Sequence, residues 1–139
     1  MWQNWDGSQS RNHIMFGSIG DYFYKGLAGI ELVNAAPGFK EVILKPQFPN
    51  DMTFLKCGHK TPNGWLKTTW QEQNEVINYN LTLPTGSSAT FVVQKGWKFD
   101  SIEKLGASDV LEVPNKKTNG KYQLDIPSGE FKLKFSREK

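Results

Sequence analysis

The hydrophobic period changes once along this chain, and that change limits what it can fold into. From Ile14 to Ile30 the apolar positions Met15, Ile19, Tyr22, Phe23, Leu27 and Ile30 recur at spacings of three and four, the spacing of one helix face. Ser10 or Asn12 can cap the start of such a helix, and Gly29 can supply a left-handed position after its end. Gly17, Gly20 and Gly26 interrupt it, at about 1 kcal/mol each relative to Ala. Close approach of another helix is the expected return, so the helix is expected to suit a crowded helical neighbourhood that this chain lacks. Ala35-Ala36-Pro37-Gly38 then breaks the pattern and acts as a connector.

From Phe39 onward the period is two. Ile77, Tyr79, Leu81 and Leu83 alternate with Asn78, Asn80 and Thr82, and Tyr122, Leu124 and Ile126 alternate with Gln123 and Asp125. Phe131, Leu133 and Phe135 alternate with Lys132 and Lys134. Each run has one apolar and one wet face, as in antiparallel sheets. Turn chemistry separates the runs at Pro62-Asn63-Gly64, Pro84-Thr85-Gly86, Asn119-Gly120 and Pro127-Ser128-Gly129. Strands are predicted near 40–45, 53–60, 65–71, 75–83, 88–94, 109–113, 121–126 and 130–136. That number and spacing predict a mainly β fold: an antiparallel two-sheet β-sandwich of the jelly-roll kind, preceded by one N-terminal α-helix. The expected division is a helical segment over 1–34 and a sandwich over 35–139.

Composition narrows the partners. The net charge is 17 − 14 = +3, and apart from Lys116-Lys117 and a basic tail the cations are spread along the strands. A nucleic-acid surface usually concentrates its basic residues, so none is expected. Cys57 stands alone, which rules out an intrachain disulfide and a thiolate metal centre. His13 and His59 are unlinked, so neither a metal nor another cofactor is expected. No apolar run approaches the roughly 20 residues that span a bilayer, and the start lacks the basic and apolar regions of a signal peptide. The compartment stays open. Two Trp within the first five residues make an abrupt opening, and the chain is expected to be a piece of something longer.

Three stretches resemble a known family. Trp2-Gln3-Asn4-Trp5, then Asn12-His13-Ile14-Met15-Phe16-Gly17 and Leu27-Ala28-Gly29-Ile30, resemble the end of the catalytic domain of bacterial α-L-rhamnosidases of glycoside hydrolase family 78. Pro37-Gly38-Phe39-Lys40 with Ile43 through Pro46 resembles the entry to that family's C-terminal β-domain. Gly64-Trp65-Leu66-Lys67-Thr68-Thr69-Trp70 and Leu81-Thr82-Leu83-Pro84 resemble its central strands. The resemblance implies a parent with an (α/α)6 barrel that hydrolyses terminal α-L-rhamnosides with inversion, using a carboxylic acid and a carboxylate that activates water. The family's acid would lie upstream of this chain. The position resembling its general base is Gln3, whose amide cannot accept a proton at neutral pH, so no catalytic residue is intact here unless Asp6 takes the role.

Other candidates carry two readings each. His13, in the family's Asn-His pair, is expected at the rim of the rhamnose pocket, or else as a packed histidine bonded to a carbonyl. Trp2 and Trp5 are expected to stack on sugar or to pack at a helix junction. Trp65, Trp70 and Trp97 are expected in the sandwich core. Glu72, Glu75 and Asp51 have no recognisable partner in the sequence. Three functions compete: a C-terminal, non-catalytic part of a rhamnosidase, a free-standing carbohydrate-binding sandwich with at least two Trp or Tyr rings aligned on one face, or a small active hydrolase, which requires a carboxylate pair in a cleft. The partners expected are a rhamnoside-containing glycan met through the parent, and either the missing barrel or a second copy through the N-terminal helix.

Overall fold

The computed structural model describes residues 18–33, 35–106, 115–118 and 121–138. One short helical segment leads in. It is α-helical over Ser18–Asp21 (α1) and widens to a π-helix over Tyr22–Leu27, where the Ala28 N–H donates to the Phe23 carbonyl at 3.0 Å. Among the described residues ten strands follow: β1 Ile30–Leu32, β2 Glu41–Leu44, β3 Phe54–Thr61, β4 Gly64–Gln73, β5 Val76–Leu83, β6 Ser88–Val92, β7 Trp97–Lys104, β8 Asn115–Thr118, β9 Lys121–Ile126 and β10 Gly129–Arg137.

The strands form two five-stranded sheets, ordered β1-β2-β6-β9-β8 and β3-β4-β5-β10-β7. After the meander β3-β4-β5 the chain crosses to the first sheet for β6, returns for β7, crosses again for β8 and β9, and comes home as β10 between β5 and β7. All pairings but one are antiparallel; β2 and β6 run parallel, with Val42 opposite Ala89 and Leu44 opposite Phe91. The fold is the expected β-sandwich.

Alternation decides which side chains meet between the sheets. Leu66, Thr68 and Trp70 of β4 and Ile77, Tyr79, Leu81 and Leu83 of β5 all point inward and are buried. Phe91 of β6 stacks on Phe135 of β10 at 5.2 Å and takes the edge of Tyr79 at 5.1 Å, so aromatic contacts join the two layers. Phe48 closes one end. It lies in the crossing between β2 and β3, with its ring edge-on to Trp70 at 5.3 Å and to Trp97 at 5.5 Å. The Gln94 side-chain carbonyl accepts its backbone N–H at 2.8 Å.

Several expectations are corrected. The helix does not run on to Ile30: Gly29 turns the chain at φ +67°, and Ile30 enters β1, where it pairs with Leu44. The helix expected from Ile14 is described only from Ser18. Gly20 faces open space, a Cβ on Gly26 would lie 2.7 Å from the Tyr22 ring of the same segment, and Gly17 is outside the described residues. Strands β1, β7 and β8 were not expected. The strand predicted at 109–113 lies outside the described residues. Trp70 and Trp97 are core residues as expected, but Trp65 is 50% exposed on the outer face of its sheet.

Candidate functional site

Gln3, Asp6, His13, Trp2 and Trp5, the residues the sequence offers for catalysis and sugar contact, lie outside the described residues. The structure instead shows how the segment that follows them meets the sandwich, and what two other surfaces are built from.

The helical segment is anchored at its C-terminal end and through Tyr24. Leu27 and Ala28 are buried, the Gln47 N–H donates to the Leu27 carbonyl at 3.0 Å, and the Lys45 N–H donates to the Gly29 carbonyl at 2.8 Å. Lys45 also pairs with Glu31 at 2.8 Å, with both side chains near two-fifths exposed, which adds little stability. Tyr24 reaches the free edge of β3: its hydroxyl donates to the Gly58 carbonyl at 3.3 Å and its ring meets His59 edge-on. A strand edge partly occupied in this way is a poorer template for unwanted pairing. His59 also packs against Phe39 at 4.5 Å, which makes it part of this joint. Farther up, Ile19, Tyr22 and Phe23 stand 61%, 59% and 49% exposed. The segment therefore presents an apolar face held at a fixed place on the sandwich and uncovered by the described residues.

A cleft of about 300 Å³ opens at the Phe48 end of the sandwich. Phe48, Ile77 and Trp97 line its floor, and Glu72, Glu75 and Arg137 line its walls. Nothing in the residue pattern pairs Glu72 with Glu75. They meet because Asn74 and Glu75 both take positive φ, at 53° and 61°, in the turn between β4 and β5. The Glu72 carboxylate accepts the Glu75 backbone N–H at 2.9 Å and holds that turn. The Arg137 guanidinium lies over the Trp97 ring at 5.0 Å and donates to Asn50 Oδ1 at 2.7 Å, while its N–H donates to the Glu75 carbonyl. These polar groups tie three chain segments together. Glycosidase chemistry needs two carboxylates flanking a bound sugar, and Glu72 is committed to the backbone.

Among the described residues no group of three or more His, Cys, Asp or Glu is placed to hold a metal ion. No helix among them is long and apolar enough to cross a membrane.

Similar proteins place this architecture. An α-L-rhamnosidase of Formosa agariphila is 28% identical over 98% of this chain, and one of Alteromonas sp. is 29% identical over 96% of it. The chain spans about 14% of the length of each. Among solved structures, the α-L-rhamnosidase from Dictyoglumus thermophilum superposes with a TM-score of 0.70 at 25% identity, covering 92% of this chain and 14% of that one. The Streptomyces avermitilis α-L-rhamnosidase complexed with L-rhamnose shares the fold, with a TM-score of 0.66 at 19% identity over 96% of this chain and 13% of its own. The family model described as the bacterial alpha-L-rhamnosidase C-terminal domain matches residues 29–106, from the turn at Gly29 to the end of β7, and this chain belongs to that family.

Proposed function

We propose that this chain is the C-terminal, by itself non-catalytic part of an α-L-rhamnosidase, whose whole removes terminal α-linked L-rhamnose with inversion, and that its work is to brace and cover the helical catalytic domain. The observation that carries this reading is the apolar face of Ile19, Tyr22 and Phe23, joined to the sandwich through Leu27, Ala28 and Tyr24 and uncovered by the described residues. A face of that kind is the surface of an interface. Its place at the head of the sandwich suits a domain that precedes it in the chain. In this reading His13, Trp2 and Trp5 contribute to the rim of the rhamnose pocket, and Gln3 stands where the general base would be, able to orient a water but not to deprotonate it.

The test is direct. The purified chain should release no aglycone from an aryl α-L-rhamnoside, and it should bind a rhamnosidase catalytic domain whose own C-terminal domain has been removed. Replacing Ile19 and Phe23 with Ser should abolish that binding. Turnover by the chain alone, or binding indifferent to the two substitutions, would overturn the proposal. The alternative, a free-standing carbohydrate-binding sandwich, calls for two aligned Trp or Tyr rings. Among the described residues the outer sheet faces carry one such exposed ring, Trp65.

A further inference from the structure

The two outer faces of the sandwich differ in charge. On the outer face of the sheet β3-β4-β5-β10-β7 the alternation exposes Lys56, Lys60, Lys67, Lys98, Lys132 and Lys134. The acids on that face are Asp100, Glu103 and Glu130, so it carries 6 − 3 = +3. On the other sheet the outward positions of β1, β2 and β9 include the acids Glu31, Glu41 and Asp125, and Lys45 pairs with Glu31. All three acids of the basic face lie on β10 and β7, and Asp100 already accepts the Ser136 hydroxyl at 2.9 Å. The half formed by β3 and β4 therefore presents lysines with no carboxylate among them. No ion pair engages Lys56, Lys60 or Lys67 among the described residues.

Trp65 sits at the hairpin end of that half. It stands directly opposite Lys60 across the strands, and the Lys67 ammonium lies 5.7 Å from its ring centroid. Beside it β3 carries Gly58, where a Cβ would sit 3.8 Å from the indole, so the sheet leaves a shallow trough along the ring. One row across the sheet reads Lys56, Thr69, Asn80, with the Asn80 amide donating to the Thr69 hydroxyl at 3.3 Å; the next reads Gly58, Lys67, Thr82. A flat aromatic, short polar side chains and cations set diagonally to one another on neighbouring strands form a surface for sugar rings, hydroxyls and repeated negative charges. Single-stranded nucleic acid also uses cations and aromatics, but it stacks successive bases on successive rings, and the two exposed rings of this half, Trp65 and Phe54, lie at opposite ends of the β3–β4 hairpin, three rows apart.

We infer that the outer face of β3, β4 and β5, with Trp65 at its hairpin end, binds a carboxylated polysaccharide. The inference stands apart from the catalytic-domain reading, since it uses neither the helical segment nor the residues before it.

Calorimetric titration of the full chain with polygalacturonate, at about 20 mM and 150 mM salt, tests it, because screening separates surface charge from other contacts. Neutral dextran and a single-stranded oligothymidylate serve as comparison ligands. Polygalacturonate should bind, more weakly at the higher salt, and dextran should not. Trp65→Ala should weaken binding roughly tenfold or more, as loss of a central aromatic does. Lys56→Gln with Lys67→Gln should weaken it severalfold, and Lys132→Gln with Lys134→Gln distinctly less. All three variants change exposed residues, and unchanged thermal unfolding confirms that they fold. The inference is overturned by no binding at either salt, by equal binding of oligothymidylate, or by Trp65→Ala being silent while every lysine pair counts alike.

Discussion

Gly29 and Lys45 lie in backbone contact: a Cβ built on Gly29 would fall 2.1 Å from the carbonyl carbon and oxygen of Lys45. The contact is fixed by the hydrogen bond from the Lys45 N–H to the Gly29 carbonyl and by the left-handed φ of +67° at Gly29. Any L-residue there meets both a strained conformation and main-chain atoms that cannot step aside. Gly29→Ala should cost about 3–5 kcal/mol, combining φ strain with overlap. Chemical denaturation measures it. A cost near 1 kcal/mol would mean that the joint between helical segment and sandwich is loose.

Phe48 belongs to a connection rather than a strand, yet it is 4% exposed and touches Trp70, Trp97 and Phe135. Phe48→Ala should therefore destabilise like a core truncation, by about 3–5 kcal/mol. Equilibrium unfolding should show a lowered denaturant midpoint. A loss below about 1 kcal/mol, the size typical of surface changes, would show that the crossing does not hold the end of the sandwich shut.

The exposed apolar residues of the helical segment make the opposite prediction. Ile19→Ser with Phe23→Ser should leave sandwich stability within about 0.5 kcal/mol, since neither side chain is buried. The same change should reduce any self-association of the chain at high concentration, seen by sedimentation velocity. A large loss of stability would place the two side chains against the sandwich after all.

Which of these features the sequence could reveal follows from how far alternation persists. Strands β5, β9 and β10 alternate without a break and are legible. In β7 Asp100 is an extra residue opposite the step from Lys134 to Phe135, so Phe99 and Ile102 fall out of phase with each other. The period-two signal vanishes although both strand halves are present. Ile30 lies in phase with the preceding helical pattern and reads as its last member, hiding β1. Trp65 was legible in principle: it is five residues from Trp70, an odd spacing, and two such residues on one strand cannot share a face. The cleft was not legible. Glu72, Glu75, Asn50 and Arg137 come together through a turn with two left-handed residues and through the pairing of β10, neither of which composition announces. The basic face was hidden for the same reason, because lysines far apart in the chain share it only once strand register is set.

Tyr79 and Thr68 face each other from neighbouring strands inside the sandwich, where both are 1% exposed, and neither hydroxyl makes a hydrogen bond of ordinary geometry with the described residues. Burial pushes the Tyr79 hydroxyl well above its ordinary value of 10.0; the nearby Thr68 hydroxyl opposes this and the Cys57 thiol reinforces it slightly. Burial also raises Cys57 above its ordinary 9.0. In both groups the neutral form is the one the fold accepts. Their contribution is intact below the unfolded-state values and is lost as the pH rises past them, because the unfolded chain then ionises and the folded chain does not. Stability should be flat with pH on their account up to about 9 and fall above it. Tyr79→Phe should be neutral or stabilising by up to about 1 kcal/mol at pH 7, since it removes an unpaired buried hydroxyl, and it should flatten the alkaline fall above pH 10. Denaturant midpoints of both proteins from pH 7 to 11 decide the matter. An unchanged alkaline slope in the Phe variant would show that Tyr79 does not control it, and a loss above about 1 kcal/mol at pH 7 would show that its hydroxyl has a partner in the folded protein.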